Sequence, residues 1–146
     1  MATIAVWGDP STESSNIAGT ALNSLATGSL SAILADVDNS VNKHFNIAFW
    51  IKLGSITPSS GGSITIRLIC KRGSTYTDRN ATIFTGEFQT VGLTTTTSAK
   101  EISTCTMRIP GPGIYGIEIV NNSGVTLASS GNEVYYRTWP EEIKNA

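Results

Sequence analysis

The chain has 146 residues, 40% of them hydrophobic and 14% charged, about a quarter of them serine or threonine, and a formal net charge of −1. That length suits one domain, able to bury roughly 68–70% of its unfolded surface without a disulfide or metal staple. The charge balance, with no basic cluster beyond Lys71-Arg72, argues against nucleic acid as a partner, and no run approaches the roughly 18 apolar residues of a membrane helix.

The opening Met1-Ala-Thr-Ile-Ala-Val-Trp7 has neither a basic segment nor a long apolar run, so no secretory signal is expected and synthesis in a cytoplasm is. Without export, the sequons Asn80-Ala-Thr82 and Asn121-Asn-Ser123 carry no weight. Residues 1–20, small, polar and broken at Gly8-Asp9-Pro10, read as an N-terminal arm, and residues 21–146 read as the folded domain. An arm of this kind completes a sheet edge or reaches another subunit, and Trp7 is a large side chain to leave in water.

Leu22 to Leu34 is expected to form one long bent strand or two short ones, followed by a polar loop, Asp36-Val-Asp-Asn-Ser40. In His44 to Leu53 the residues Phe45, Ile47, Phe49, Ile51 and Leu53 share one face at period two, the clearest core strand of the chain. Pro58-Ser-Ser-Gly-Gly62 is a turn; Ile64, Ile66, Leu68 and Cys70 then point inward, with Thr65, Arg67 and Lys71 outward. A polar loop covers 72–80, and Phe84 and Phe88 share a face of the next strand. Thr94-Thr-Thr-Thr-Ser98 has no pattern.

Ile102, Cys105, Met107 and Ile109 alternate with one break in phase, as a bulge would give. Tyr115, Ile117 and Ile119 share a face with Glu118 opposite, on the solvent side; Val134 and Tyr136 face inward, with Glu133 and Arg137 opposite. Cys70 and Cys105 are expected as buried free thiols, with a disulfide between them as the alternative. Eight strands and no useful amphipathic helix imply an all-β antiparallel sandwich, most naturally an eight-stranded jelly roll. An immunoglobulin arrangement fits less well, because Trp50 falls on the polar face of its strand.

The candidate chemistry is sparse. One histidine excludes a histidine metal cluster, and His44 with Asp36 or Asp38 has no activated serine to complete a triad. Asp36-x-Asp38-x-Ser40 resembles the start of a calcium loop but lacks its glycine and its closing glutamate. Gly111-Pro-Gly113-Ile-Tyr-Gly116 matches a dinucleotide fingerprint in letters, yet Pro112 removes an amide and strand follows where helix is needed. Glu87 and Glu118 are the candidates for a carboxylate pair across a cleft. Trp7, Trp50, Tyr76, Tyr135 and Trp139 lie off the main apolar stripes, where aromatic residues stack on sugars or anchor partners.

Leu22-Asn-Ser-Leu25, Asp36-x-Asp-Asn39, Gly73-Ser-Thr-Tyr76, Pro110-Gly-Pro-Gly-Ile-Tyr115, Asn121-Asn-Ser-Gly124 and Leu127-Ala-Ser-Ser-Gly-Asn132 together resemble a group of small tailed-phage virion proteins. The resemblance spans residues 22 to 137 and consists of turn and strand punctuation. It implies a jelly-roll structural protein of the bacteriophage particle, a head decoration or cement protein bound to the major capsid protein. It further implies a virion location on the capsid surface, a homotrimer, no enzymatic activity, and no cofactor or metal. The expected partner contacts are Trp7, Pro10, Trp50, Tyr76 and Trp139. The alternative function is a tail fibre or baseplate module that recognises host glycans through Trp50 or Tyr76.

Overall fold

The computed structural model describes residues 3–41, 43–77, 79 and 86–145, with backbone alone for 3–7 and 142–145. Its strands are β1 (Thr3–Trp7), β2 (Ala35–Asp38), β3 (Asn46–Ile56), β4 (Ser63–Arg72), β5 (Thr75–Tyr76), β6 (Glu87–Gly92), β7 (Ser98–Ser103), β8 (Met107–Arg108), β9 (Ile114–Asn122), β10 (Glu133–Trp139) and β11 (Glu141–Asn145). One sheet has the order β10-β3-β7, with β8 also on β3; the other runs β2-β9-β4, with β5 and β6 sharing the far edge of β4. Every pairing is antiparallel, and the fold is the jelly-roll-like β-sandwich expected.

Period-two alternation builds the core between the sheets. Ile47, Phe49, Ile51 and Leu53 of β3 meet Ile64, Ile66 and Leu68 of β4, Ile117 and Ile119 of β9, and Val134 of β10, all buried. Each such side chain contributes about 1.5–3 kcal/mol by leaving water. Phe45, expected to continue this stripe, precedes β3 and is 37% exposed, with the Arg108 guanidinium 5.9 Å from its ring centre.

Residues 8–18 lie along β10 and complete that edge of the sheet. Gly8, Ser11, Ser14 and Ile17 donate backbone N–H groups to the carbonyls of Pro140, Thr138, Tyr136 and Val134. The N–H groups of β10 are answered by side chains: Thr138 donates to Ser11 Oγ, Tyr136 to Ser14 Oγ and Val134 to Asn16 Oδ1. Three residues of the segment thus span two of β10, and short polar side chains supply the acceptors that a regular strand would offer from its backbone. The segment ends with Ala18 in the core.

The strand expected over 22–34 is instead a series of turns, with Leu22 fully buried and one isolated bridge from Leu30 to Val120. The strand falls later, at β2, where Val37 points inward and Asp36 and Asp38 outward. Two carboxylates in four residues hid a period-two segment whose outward positions have partners.

Three of the turn motifs, at 22–25, 121–124 and 127–132, meet at one end of the sandwich, while Asn39 of another bonds the Gly111 carbonyl at the opposite end. Buried Asn121 donates from Nδ2 to the carbonyls of Leu25 and Val125, at 2.8 Å each, and its Oδ1 accepts from Ser123 N and Oγ. Buried Asn132 accepts from Gly54 N and donates to Asn23 Oδ1 and the Ala128 carbonyl. Ser24 N reaches the Ala128 carbonyl, and Leu127 N the Leu25 carbonyl. Gly54 is required there, because a Cβ would stand 2.6 Å from that of Ala128.

Both cysteines are free and exposed, which corrects the expectation of buried thiols. Cys70 keeps the inward phase but pairs with Tyr115 near the last residues of β4, past the packed stretch. Cys105 sits in the interruption between β7 and β8, where Thr104 bonds both backbone groups of Phe49 and the chain bulges. The unpatterned Thr94–Ser98 loop wraps the ammonium of Lys100, which is 6% exposed. Thr94 Oγ1, Thr96 Oγ1 and Ser98 Oγ lie at 3.2, 3.1 and 3.0 Å, and the Thr96 carbonyl completes the cage.

Candidate functional site: an aromatic groove beside a two-stranded ribbon

The outer face of the β10-β3-β7 sheet carries the side chains that alternate away from the core. Register sets Tyr135, Trp50 and Ser103 side by side in one row, Arg137 beside Ala48 in the next, and Trp139 beside Asn46 in the third. Ala48 is the only small side chain of the three on β3, so the surface dips there. The result is a groove of about 330 Å³ bordered by Pro10, Trp50, Tyr135, Arg137 and Trp139. A second depression of about 400 Å³ continues past Trp139 to Gly8 and Thr106.

Trp50 and Tyr135 form one wall, ring centres 5.2 Å apart and planes tilted 46°. Trp139 lies two rows away, four residues along β3, or about 13 Å at the strand rise. Charges on this face are paired: Arg137 Nε lies 3.7 Å from Glu13, and Lys52 Nζ 3.9 Å from Glu133. Burial, and a 3.2 Å bond to Glu133, push the Tyr135 hydroxyl above the ordinary tyrosine pKa, so it stays protonated as a donor.

Beyond Trp139 the chain leaves the sandwich as a ribbon. Thr3–Trp7 pairs with Glu141–Asn145 in full register, and these two strands form a sheet of their own. Its root is held by the Gly8 bond to the Pro140 carbonyl and by a 2.6 Å ion pair from Arg108 to Glu141.

Of the expected contact residues, Pro10, Trp50 and Trp139 come together in the groove. Trp7 is on the ribbon, with its side chain outside the described residues. Tyr76 is on the other sheet: its hydroxyl donates to Asp36 at 2.6 Å, and its ring lies over Gly116, where a Cβ would come within 2.6 Å of it. Lys71 Nζ is 2.6 Å from the same carboxylate. Burial opposes ionisation of Asp36, but the bonds from Lys71 and Tyr76 outweigh it and hold its pKa below the ordinary value. Sequence reasoning missed Ala48 and Arg137 as groove residues. The signal was present, since the outward phase of β3 reads Asn46, Ala48, Trp50, a gap beside a large ring.

The other candidates are dispersed. Asp38 is taken by Ser40 N and Oγ, and Asp36 by Lys71 and Tyr76; among the described residues no three metal-ligating side chains cluster. His44 Nδ1 meets Thr138 Oγ1 at 2.6 Å instead of a carboxylate. Glu118, expected in solvent, is fully buried on the outer phase of β9 because Arg79, 2.6 Å away, and Arg67, 3.3 Å away, cover it, while Arg79 also donates to the Ser31 carbonyl. Glu87 pairs with Leu68 while Glu118 pairs with Arg67, so the two acids lie on opposite faces of their sheet and do not confront each other. Phe88, on the outer face, is 53% exposed; Phe84 lies outside the described residues.

The architecture is thus that of a jelly-roll-like β-sandwich with a ribbon and an aromatic outer face. The sequence matches no protein-family model and no curated protein. Among solved structures, the chain is similar to one from Bacillus endospore appendages, described as a novel family of disulfide-linked pili. Identity is 11% and the TM-score 0.34, covering 96% of this chain and 91% of that one.

Proposed function

We propose that this chain is a structural virion protein: a capsid decoration or cement protein, made in the host cytoplasm, that binds the major capsid protein on the capsid surface as a homotrimer and performs no catalysis. The observation that carries this reading is the β1–β11 ribbon. Among the described residues no third strand pairs with it, and an isolated two-stranded ribbon is marginally stable in water. Its open edges are a template for strand pairing with another protein. Binding a folded shell would stabilise that shell by mass action.

Removal of residues 1–7 tests this, because it takes β1 away and leaves residues 8–18 on β10. The truncated chain should stay folded by circular dichroism yet fail to co-sediment with capsids lacking the protein. Co-sedimentation at the full-length level overturns the ribbon's role, and a monomer by light scattering overturns the trimer.

The second reading, a fibre or baseplate module for host glycans, draws its support from the aromatic groove. Copy number separates the two: hundreds per particle for a decoration protein, dozens or fewer for a fibre.

A further inference from the structure

The groove on the outer face of β10-β3-β7 has the make-up of a ligand site that the ribbon's role does not use. We infer that it binds a neutral oligosaccharide, lying along β3 from Trp50 toward Trp139 across Ala48. This does not rest on the capsid reading, since a decorating protein and a fibre module could each carry such a site.

Three observations lead to this class of ligand. First, Trp50 and Tyr135 form a tilted aromatic wall, and Trp139 stands about 13 Å farther along. Aromatic faces spaced along a shallow floor suit pyranose rings, whose axial C–H groups form an apolar face. Second, hydrogen-bonding groups border the groove: Arg137 and Glu13 on one flank and Ser103 on the other. A few convergent polar groups around an apolar surface are the usual make-up of a small-molecule site. An arginine and a carboxylate together offer donors and acceptors, which is what a ring of hydroxyls requires.

Third, no cation on this face stands without a carboxylate beside it. Arg137 meets Glu13, and Lys52 stands between Glu133 and its β7 partner Glu101, so the face has no surplus of positive charge and gives no attraction for a sialylated, sulfated or phosphorylated ligand. Peptide capture by strand addition is closed at β10 and β3, the strands that carry the rings, and is left at the outer edge of β7, beyond Ser103. Residues 8–17 occupy the free edge of β10, and β7 and β8 occupy the far edge of β3. At the rings, what remains open is a face, and a sugar binds by its face. A proline-rich peptide is the rival that also uses aromatic grooves.

The experiment titrates the full-length protein with cellotriose, maltotriose and tri-N-acetylchitotriose, against sialyllactose and a decaproline peptide. Tryptophan fluorescence and indole N–H shifts in NMR serve as readouts. At least one neutral trisaccharide should bind saturably and with an affinity unchanged between low and high salt. Trp50→Ala should weaken it at least tenfold, and Ala48→Leu, which fills the floor and keeps every aromatic ring, should do the same while the thermal midpoint holds. Absence of saturable binding by all three neutral sugars overturns the inference. So does binding that Trp50→Ala and Ala48→Leu leave intact, or saturation by decaproline or sialyllactose alone.

Discussion

The two ends of this sandwich differ in how much they leave open. At one end the turns after β3, β9 and the 125–132 segment are closed by buried amides, with Asn121 and Asn132 meeting the distant backbone of Leu25 and Gly54, and Ser123 bonded to Asn121. At the other, one buried amide, Asn39, donates to the Gly111 carbonyl and accepts from His44 N, while β10 runs out into a ribbon and the outer face opens into an aromatic groove. The first end answers its polar groups internally, and the second leaves strand edges and rings for something else. The second end thus keeps one internal tie and adds surface for interaction.

The contrast can be broken most sharply at the closed end. Asn121→Ala leaves the buried Ser123 amide without its acceptor and takes one of two donors from each of the Leu25 and Val125 carbonyls, which keep Leu127 N and Ser123 Oγ; it should cost about 3 kcal/mol, since an unsatisfied buried group costs roughly 1–3 kcal/mol and each further lost bond roughly 0.5–1.5 kcal/mol. Thermal unfolding should show a fall of about 6–12 °C; a shift within error would mean that the amide does not hold the turns together.

A smaller effect is expected where residues 8–18 cover β10. Ser14→Ala removes the acceptor for the Tyr136 N–H and should cost about 1 kcal/mol in urea unfolding, with faster hydrogen exchange at that amide. Unchanged exchange at Tyr136 would contradict the side-chain pairing.

The smallest is Asp36→Asn, and it sharpens the comparison through pH. Because the folded pKa of Asp36 is depressed, its contribution is present above the ordinary aspartate range and is lost as pH falls through the folded value. The stability gap between wild type and variant should therefore narrow on acidification. A gap that stays constant through acid titration would mean that the Lys71 and Tyr76 bonds do not govern this carboxylate.

The closed end was the more legible in sequence. Leu22-Asn-Ser-Leu25, Asn121-Asn-Ser-Gly124 and Leu127-Ala-Ser-Ser-Gly-Asn132 are separated by up to 109 positions, yet they bond to one another, so their shared punctuation describes a single piece of architecture. Core strands were legible for the same local reason, as at Ile47, Phe49 and Ile51. Glu118 and Lys100 were not, because a charged side chain reads as solvent-facing until its cover is known. Two arginines supply that cover in one case and a threonine loop in the other. The groove was half legible: the aromatic residues stood out as off-stripe, but only register brings Trp50 of β3 and Trp139 of β10 to one face.

The ribbon has a practical consequence for construction. Thr3 and Asn145 are register partners, so whatever is genetically joined before one and after the other starts from adjacent points in space. A short bridge between them would let the chain be re-cut elsewhere, and the exposed Ser59-Ser60-Gly61 turn is a natural place to open it. Two passengers fused to the two strands would emerge side by side, displayed as a pair on whatever surface the sandwich occupies.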